Sequence, residues 1–440
     1  MNNIDKNLLE SFYKKYTKDK ANLVIENAIA KVGPKEASFN NEVLRKHSFQ
    51  FSVETKKSSI TNQKKSGRCW IFATFNVMKT KILEKLNVED FEFSQNFIHF
   101  YDKLEKANSL FTIIIENPNL TVDSRLFTTM FKDPVSDGGY WGFVPNLIAK
   151  YGICPKSAMP ETYSSSNTMQ MNEILHYITM NTIVDIQVAQ KESLNIEQIL
   201  KIKEEGLYNI FQTLVKSLGL PPKKFTFEYR DKDKNFKKIE NISPLEFLNE
   251  YADNEYLDLI DLVDDPRKEH SKNSTIHYKY WKSVNEAPLV KNINVDLEVM
   301  KAATIASLKD NKPVWFGCDV GAYSDNKTGI FDTELFNYEQ TFNFKNKLTK
   351  EQRVKYFVSP VSHAMTFVGV NLDKNGKPIS WEVENSWGDE VGKKGYYSMS
   401  DKWFDEYNFE VVVNKKYVDQ AILEQAEKNI IELEPWDPMV

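Results

Sequence analysis

Among the three cysteines of the chain, Cys69 is the one whose surroundings favour chemistry. It follows Gln63-Lys-Lys-Ser-Gly-Arg68, where Ser66 and Gly67 can break and cap the chain. From Cys69 to Leu86 there is no Pro or Gly, and Ile71, Phe75, Met78, Ile82 and Leu86 recur at three- and four-residue steps. That pattern predicts a helix with one buried stripe, beginning at the cysteine. The first turn of a helix offers unpaired N–H groups and the positive end of the dipole, both of which favour an anion. A thiol placed there loses its proton more easily, and the thiolate is the nucleophile. The plainer role of a free cysteine is a small buried core residue, which is what we expect of Cys154 and Cys318.

Acyl transfer through a thiol needs an imidazole to pair with it, a third group to fix the tautomer, and a donor for the oxyanion. Of the six histidines, His363 stands out because it opens a strand after the turn-like Ser359-Pro-Val-Ser362. Asn385 closes the next strand, in Glu384-Asn-Ser-Trp-Gly388. Two antiparallel strands joined by the turn Asp373-Lys-Asn-Gly-Lys-Pro378 bring those two ends together. Trp387 could then cover the pair. Gln63 precedes Cys69 by six residues, where its amide could reach the oxyanion position. Gly138 and Gly139, in Ser136-Asp-Gly-Gly-Tyr-Trp-Gly142, read either as an ordinary turn before a helix or as a glycine stretch along which an extended peptide lays its backbone.

These residues need particular elements to hold them. Residues 4–31 have a helical pattern ended by Gly33-Pro34, and 47–54 alternate like a strand. Ser94 caps a second helix, expected to Leu104, and a third ends at Tyr151. Residues 164–310 read as mainly helical, with an exposed hairpin over 225–239. After Lys312 the pattern changes to strands at 313–320, 363–370, 379–384, 395–399 and 409–413. A helix from about Asp419 to Ile431 and an extended, proline-stiffened tail follow. The expected organisation is an N-terminal arm and strand (1–62), a helical lobe with the Cys69 helix (63–163), a helical insertion (164–310), a β lobe with His363 and Asn385 (311–418), and a C-terminal helix and tail (419–440). The fold class is α+β.

Composition narrows the function classes. With 440 residues, 41% hydrophobic and 27% charged, the chain is globular. A net charge of −5 argues against a general nucleic-acid binder. The cysteines are too few for a disulfide framework and form no metal-ligand spacing, so neither metal nor cofactor is expected. No stretch has the apolar length of a membrane span, and the N-terminal Met-Asn-Asn-Ile-Asp-Lys lacks a signal-peptide core. A reduced, cytoplasmic location is expected.

The motifs together resemble papain-like cysteine peptidases of the bleomycin hydrolase / aminopeptidase C family. The resemblance runs through Thr61-Asn-Gln-Lys-Lys-Ser-Gly-Arg-Cys-Trp70, Asp137-Gly-Gly139, Pro155-Lys-Ser157, Pro160-Glu-Thr-Tyr163, Val314-Trp-Phe-Gly-Cys-Asp-Val320, His363-Ala-Met-Thr-Phe367, Val383-Glu-Asn-Ser-Trp-Gly388 and Trp436-Asp-Pro-Met439. It implies a two-lobed papain-like fold and a cysteine aminopeptidase acting on peptides, with Cys69 as nucleophile, His363 as general base and acid, Asn385 as its orienter and Gln63 as oxyanion donor. It also implies that Gly138 and Gly139 line the substrate cleft, that the Val440 carboxylate holds the substrate's amino group, and that the chain forms a homohexamer. His363 follows Cys69 by 294 residues (363 − 69), against about 130–150 in papain itself, and the insertion accounts for the excess. Only Val440 follows Met439 here, where relatives carry several residues. A shorter arm could leave the cleft open to an oligopeptidase or endopeptidase action. A hexameric scaffold with incidental thiol reactivity is the reading from another class.

Overall fold

The computed structural model describes residues 3–252 and 254–440. Its centre is the helix Cys69–Lys85, which has apolar residues on most of its circumference and is buried accordingly. On one side it packs on the helix Gln95–Glu116, whose cap Ser94 accepts from the Phe97 amide, as expected. That helix continues twelve residues beyond Leu104, through a buried Ala107, Leu110, Phe111 and Ile114. On its other side the central helix packs on the strand His363–Leu372. The buried Lys79 reaches across to Glu384 at 2.8 Å, tying the helix to the end of the neighbouring strand.

Two large apolar clusters correspond to the two lobes. Trp70, Phe97, Phe100, Leu147 and Ile148 belong to the helical one. Phe316, Phe367, Trp381, Tyr397, Trp403 and Phe404 belong to the other. The strands Val314–Cys318, His363–Leu372, Pro378–Glu384, Tyr396–Ser400 and Asn408–Asn414 join one mixed sheet, so the α+β expectation holds.

Several local expectations are corrected. Residues 164–310 do begin with the long helices Met169–Lys191 and Ile196–Leu218 and the hairpin Phe225–Arg230 with Phe236–Ile242. Leu259–Val263, Ser274–Tyr278 and Lys291–Asn294 then extend the main sheet, Leu259–Val263 pairing with Asn408–Asn414. The segment is therefore less helical than expected, because its short β-branched and aromatic runs find a sheet edge to join. Only Val53–Glu54 of the 47–54 pattern pairs as strand. Residues 4–31 are split at Asp19 between the helices Lys6–Lys18 and Lys20–Ala37, and Gly33, non-helical at φ 85° and ψ 164°, interrupts the second where the sequence places its end. The C-terminal helix stops at Lys428, and Ile430–Leu433 becomes a parallel strand beside Ser274–Tyr278. The tail is turned, not extended: Asp437 N–H donates to the Glu434 carbonyl and Val440 N–H to that of Asp437. Arg267 grips the Asp437 carboxylate through two nitrogens at 2.8 and 2.9 Å and so fixes the turn.

Candidate active site

Cys69 is the first residue of its helix. The loop before it is fixed from outside the helix, since Arg68 has no side-chain cap to offer. Instead the fully buried Arg68 guanidinium pairs with Glu161 at 3.0 and 2.7 Å. The Gly67 amide donates to Asp137 at 2.9 Å, and the Trp70 indole N–H to the Asp137 carbonyl at 2.8 Å. Asp137 is itself held by Lys103 at 2.7 Å, Thr168 at 2.5 Å and Asn172 at 2.9 Å. Burial alone would raise its pKa, but Lys103, His99 and the Gly67 amide hold it well below the ordinary carboxylate range. One anion thus locks the nucleophile's loop to the segment that carries Gly138 and Gly139. A Cβ on Gly139 would stand 2.6 Å from the Trp70 ring, so only glycine lets the two segments approach this closely.

His363 and Asn385 sit where the strand pairing predicts. Thr366 is in register with Glu384, so the ends of the two strands meet. His363 Nε2 lies 2.9 Å from Asn385 Oδ1, an oxygen that also accepts from the Ser386 amide at 2.8 Å. An amide oxygen can only accept, so the proton is on Nε2 and Nδ1 keeps its lone pair. Trp387 stacks on the imidazole, with centroids 4.6 Å apart. Ala364, next to His363, lines the same cleft as Cys69. The thiol and the imidazole line one cleft of about 400 Å³.

The electrostatics correct one expectation. Burial pushes the Cys69 thiol up, against the amides of Ala364, Trp70 and Cys69 itself. Burial holds His363 down at about 4, against the contact with Asn385. The helix start therefore does not by itself lower the thiol, because desolvation of an isolated charge outweighs it. Both shifts penalise a lone charge. Moving the thiol proton to the imidazole creates two opposite charges together, and each offsets the other's desolvation.

The same cleft is lined by Gln63, Gly138, Gly139, Pro438, Met439 and Val440, so every site residue expected from the sequence borders it except Asn385, which is fully buried against His363. Gln63 donates Nε2 to the Ser66 carbonyl at 2.7 Å, which uses one amide hydrogen and leaves the other. Sequence reasoning did not single out Asp137, nor the wall made by Tyr140, Trp281, Trp315 and Glu410. The signal for Glu410 was present: it is the one charge in Phe409-Glu-Val-Val-Val413. The buried Cys154 and Cys318 are core thiols, as expected. Among the described residues no group of His, Cys, Asp and Glu could hold a metal ion.

The sequence model described as the Peptidase C1-like family matches residues 3–440. An Aminopeptidase C of Listeria innocua is 42% identical over 431 residues, covering 98% of this chain and 97% of that one. A Bleomycin hydrolase of Homo sapiens is 38% identical over 400 residues, covering 89% and 88%. The crystal structure of PepW from Lactobacillus rhamnosis HN001 superposes with a TM-score of 0.96 at 34% identity, covering 99% of this chain and 98% of that one.

Proposed function

The chain belongs to the Peptidase C1-like family, and from that premise we propose that it is a cysteine aminopeptidase removing N-terminal residues from peptides. The observation that carries this reading is the Cys69 helix start facing the His363–Asn385 pair across a cleft that the C-terminal residues Pro438–Val440 also line. Cys69 attacks the scissile carbonyl, forming the C–S bond as its proton passes to His363 Nδ1. Asn385 holds the imidazole in the tautomer that accepts it. The oxyanion falls to the Cys69 amide at the helix start and the remaining Gln63 amide hydrogen. His363 then protonates the leaving amine, and water, deprotonated by His363, hydrolyses the thioester.

A peptide running along Gly138 and Gly139 meets the tail, which makes the enzyme an exopeptidase, with the Val440 carboxylate available to a substrate ammonium. The test is hydrolysis of an aminoacyl chromogenic amide beside its N-acetylated twin. A free-amine preference supports the reading, and equal rates favour an open-cleft peptidase.

We place the enzyme in the reduced cytoplasm as a homohexamer, the insertion over 164–310 elaborating a papain-like core. Three unpaired thiols suit a reduced compartment. The helices Lys6–Lys18 and Lys20–Ala37 bury no residue in the single chain and expose Leu9, Phe12, Tyr13, Tyr16, Leu23 and Val24. Such an apolar arm suits an interface between copies. No described helix is long and apolar enough to cross a membrane.

A further inference from the structure

Asp137 stands between the two segments that a bound peptide has to bridge. On one side is the loop 63–68, which brings Gln63 and Cys69 to the cleft. On the other is Gly138–Gly139, the continuation of Asp137's own segment, on which the peptide backbone lies in the reading above. The two carboxylate oxygens have different partners. Oδ1 is the anchored end, held by Lys103 at 2.7 Å and Asn172 at 2.9 Å. Oδ2 reaches the loop: it accepts from the Gly67 amide at 2.9 Å and from the Thr168 hydroxyl at 2.5 Å. The Thr168 amide donates in turn to the Lys65 carbonyl at 3.3 Å, a second hold on the same loop. The Gly67 carbonyl lies 4.0 Å from Cys69 Sγ, so the residue whose amide Asp137 holds also touches the nucleophile.

Resting on the aminopeptidase reading above, we propose that Asp137 is a positioning residue for acylation. Its bond to the Gly67 amide sets the distance from a peptide carried on Gly138–Gly139 to the thiol and the oxyanion donors. The thiol and the donors belong to one segment and the peptide rests on the other, so any slip between the two misplaces the scissile carbonyl. Attack needs the reacting atoms about 3–3.5 Å apart, and an oxyanion donor acts only within hydrogen-bond reach. The segments touch with little slack. A Cβ on Gly67 would stand 2.8 Å from the Asp137 Cβ. The Gly138 carbonyl is held by Lys106 at 2.6 Å, so the glycine segment is fixed from behind as well. A small alkylating agent that does not lie on the glycine segment has no need of this alignment.

Removing the Asp137 carboxylate alone would strand the buried Lys103 cation, so the test uses variants matched in charge. Asp137→Asn with Lys103→Met keeps an oxygen for the Gly67 amide. Asp137→Leu with Lys103→Met has similar shape and the same charge but no oxygen. Gly67→Ala forces the two segments apart and leaves every ion pair in place. For each, kcat and KM are measured with leucine 4-nitroanilide, beside the rate of Cys69 alkylation by iodoacetamide. The Leu double variant should have a kcat about a hundredfold below that of the Asn double variant, the loss that a misplacement of about 1 Å causes, with KM little changed. Gly67→Ala should lose kcat in the same way. Alkylation should keep its rate throughout, since iodoacetamide needs the thiol and the imidazole but no aligned peptide. Equal kcat in the two double variants overturns the inference, as does a Gly67→Ala enzyme with wild-type kcat, which alone decides the matter if the double variants do not fold. So does alkylation that falls in parallel with kcat, which would make Asp137 a support of the fold only. A wild type that cleaves N-acetyl-leucine 4-nitroanilide as fast as the free amine overturns the aminopeptidase reading alone, and the ratios between variants still decide the role of Asp137.

Discussion

At the scale of single residues, the site divides its labour between groups that react and groups that hold. His363→Ala should lower kcat/KM by at least about a thousandfold, because nucleophile and base act as one unit. Asn385→Ala removes one neutral hydrogen bond and should cost about five- to tenfold. Single-turnover rates compare the two, and a larger loss at Asn385 would reverse the assigned roles. Titration gives a second, opposed pair of expectations. His363, depressed to about 4 from an ordinary 6.5, contributes stability that is present above 6.5 and lost as pH falls toward 4. Glu410, raised to about 7 from 4.5, contributes stability that is present below 4.5 and lost as pH rises through 7. Thermal unfolding of wild type and Glu410→Gln should diverge across that upper window, the variant becoming the more stable by about 1–3 kcal/mol. Curves that stay parallel from pH 4.5 to 8 would contradict the burial of an ionisable group there. Cys69, His363 and Asn385 were legible in the sequence because each stands at or beside the end of an element, where a side chain can leave the core, and Gln63 because it lies in the loop leading into the Cys69 helix. Asp137 was not singled out because its partners Gly67, Lys103, Thr168 and Asn172 come from distant parts of the chain, and Glu410 because only its pairing with Gly317 in the sheet brings it to the cleft.

At the scale of elements, the helix Cys69–Lys85 and the strands His363–Leu372 and Pro378–Glu384 place the reacting atoms, and the loop 63–68 sets their approach. That loop depends on the buried Arg68, whose partner Glu161 lies 93 positions away. Glu161→Ala leaves the guanidinium buried without its counter-charge and should destabilise the protein by about 3 kcal/mol. Urea unfolding measures this, and a change under about 0.5 kcal/mol would show that the pair does not hold the loop. The central helix and the strand pair were readable from periodicity and turn chemistry. The strands at 259–263, 274–278 and 291–294 were not, since short apolar runs become strands only when a sheet edge is nearby. The tail was misread as extended because its turn depends on Arg267 gripping Asp437 across 170 positions.

At the scale of the whole molecule, two apolar clusters make the lobes, and the cleft between them carries the chemistry. The N-terminal helices pack little against the rest and present apolar side chains outward. In the homohexamer proposed above, this arm is the interface, so deleting residues 1–37 should give smaller species while leaving the lobes folded. Sedimentation velocity with circular dichroism follows both, and an unchanged mass would place the interface elsewhere. The central claim is that Cys69, alone among the three thiols, performs the reaction. Its most direct measurement is a titration with less than one equivalent of iodoacetamide, with the modified residue located by peptide mass and the activity followed alongside. Activity should fall in one-to-one proportion to Cys69 modification, with Cys154 and Cys318 untouched. Modification of Cys69 with activity retained, or loss of activity that tracks either buried thiol, would contradict the account.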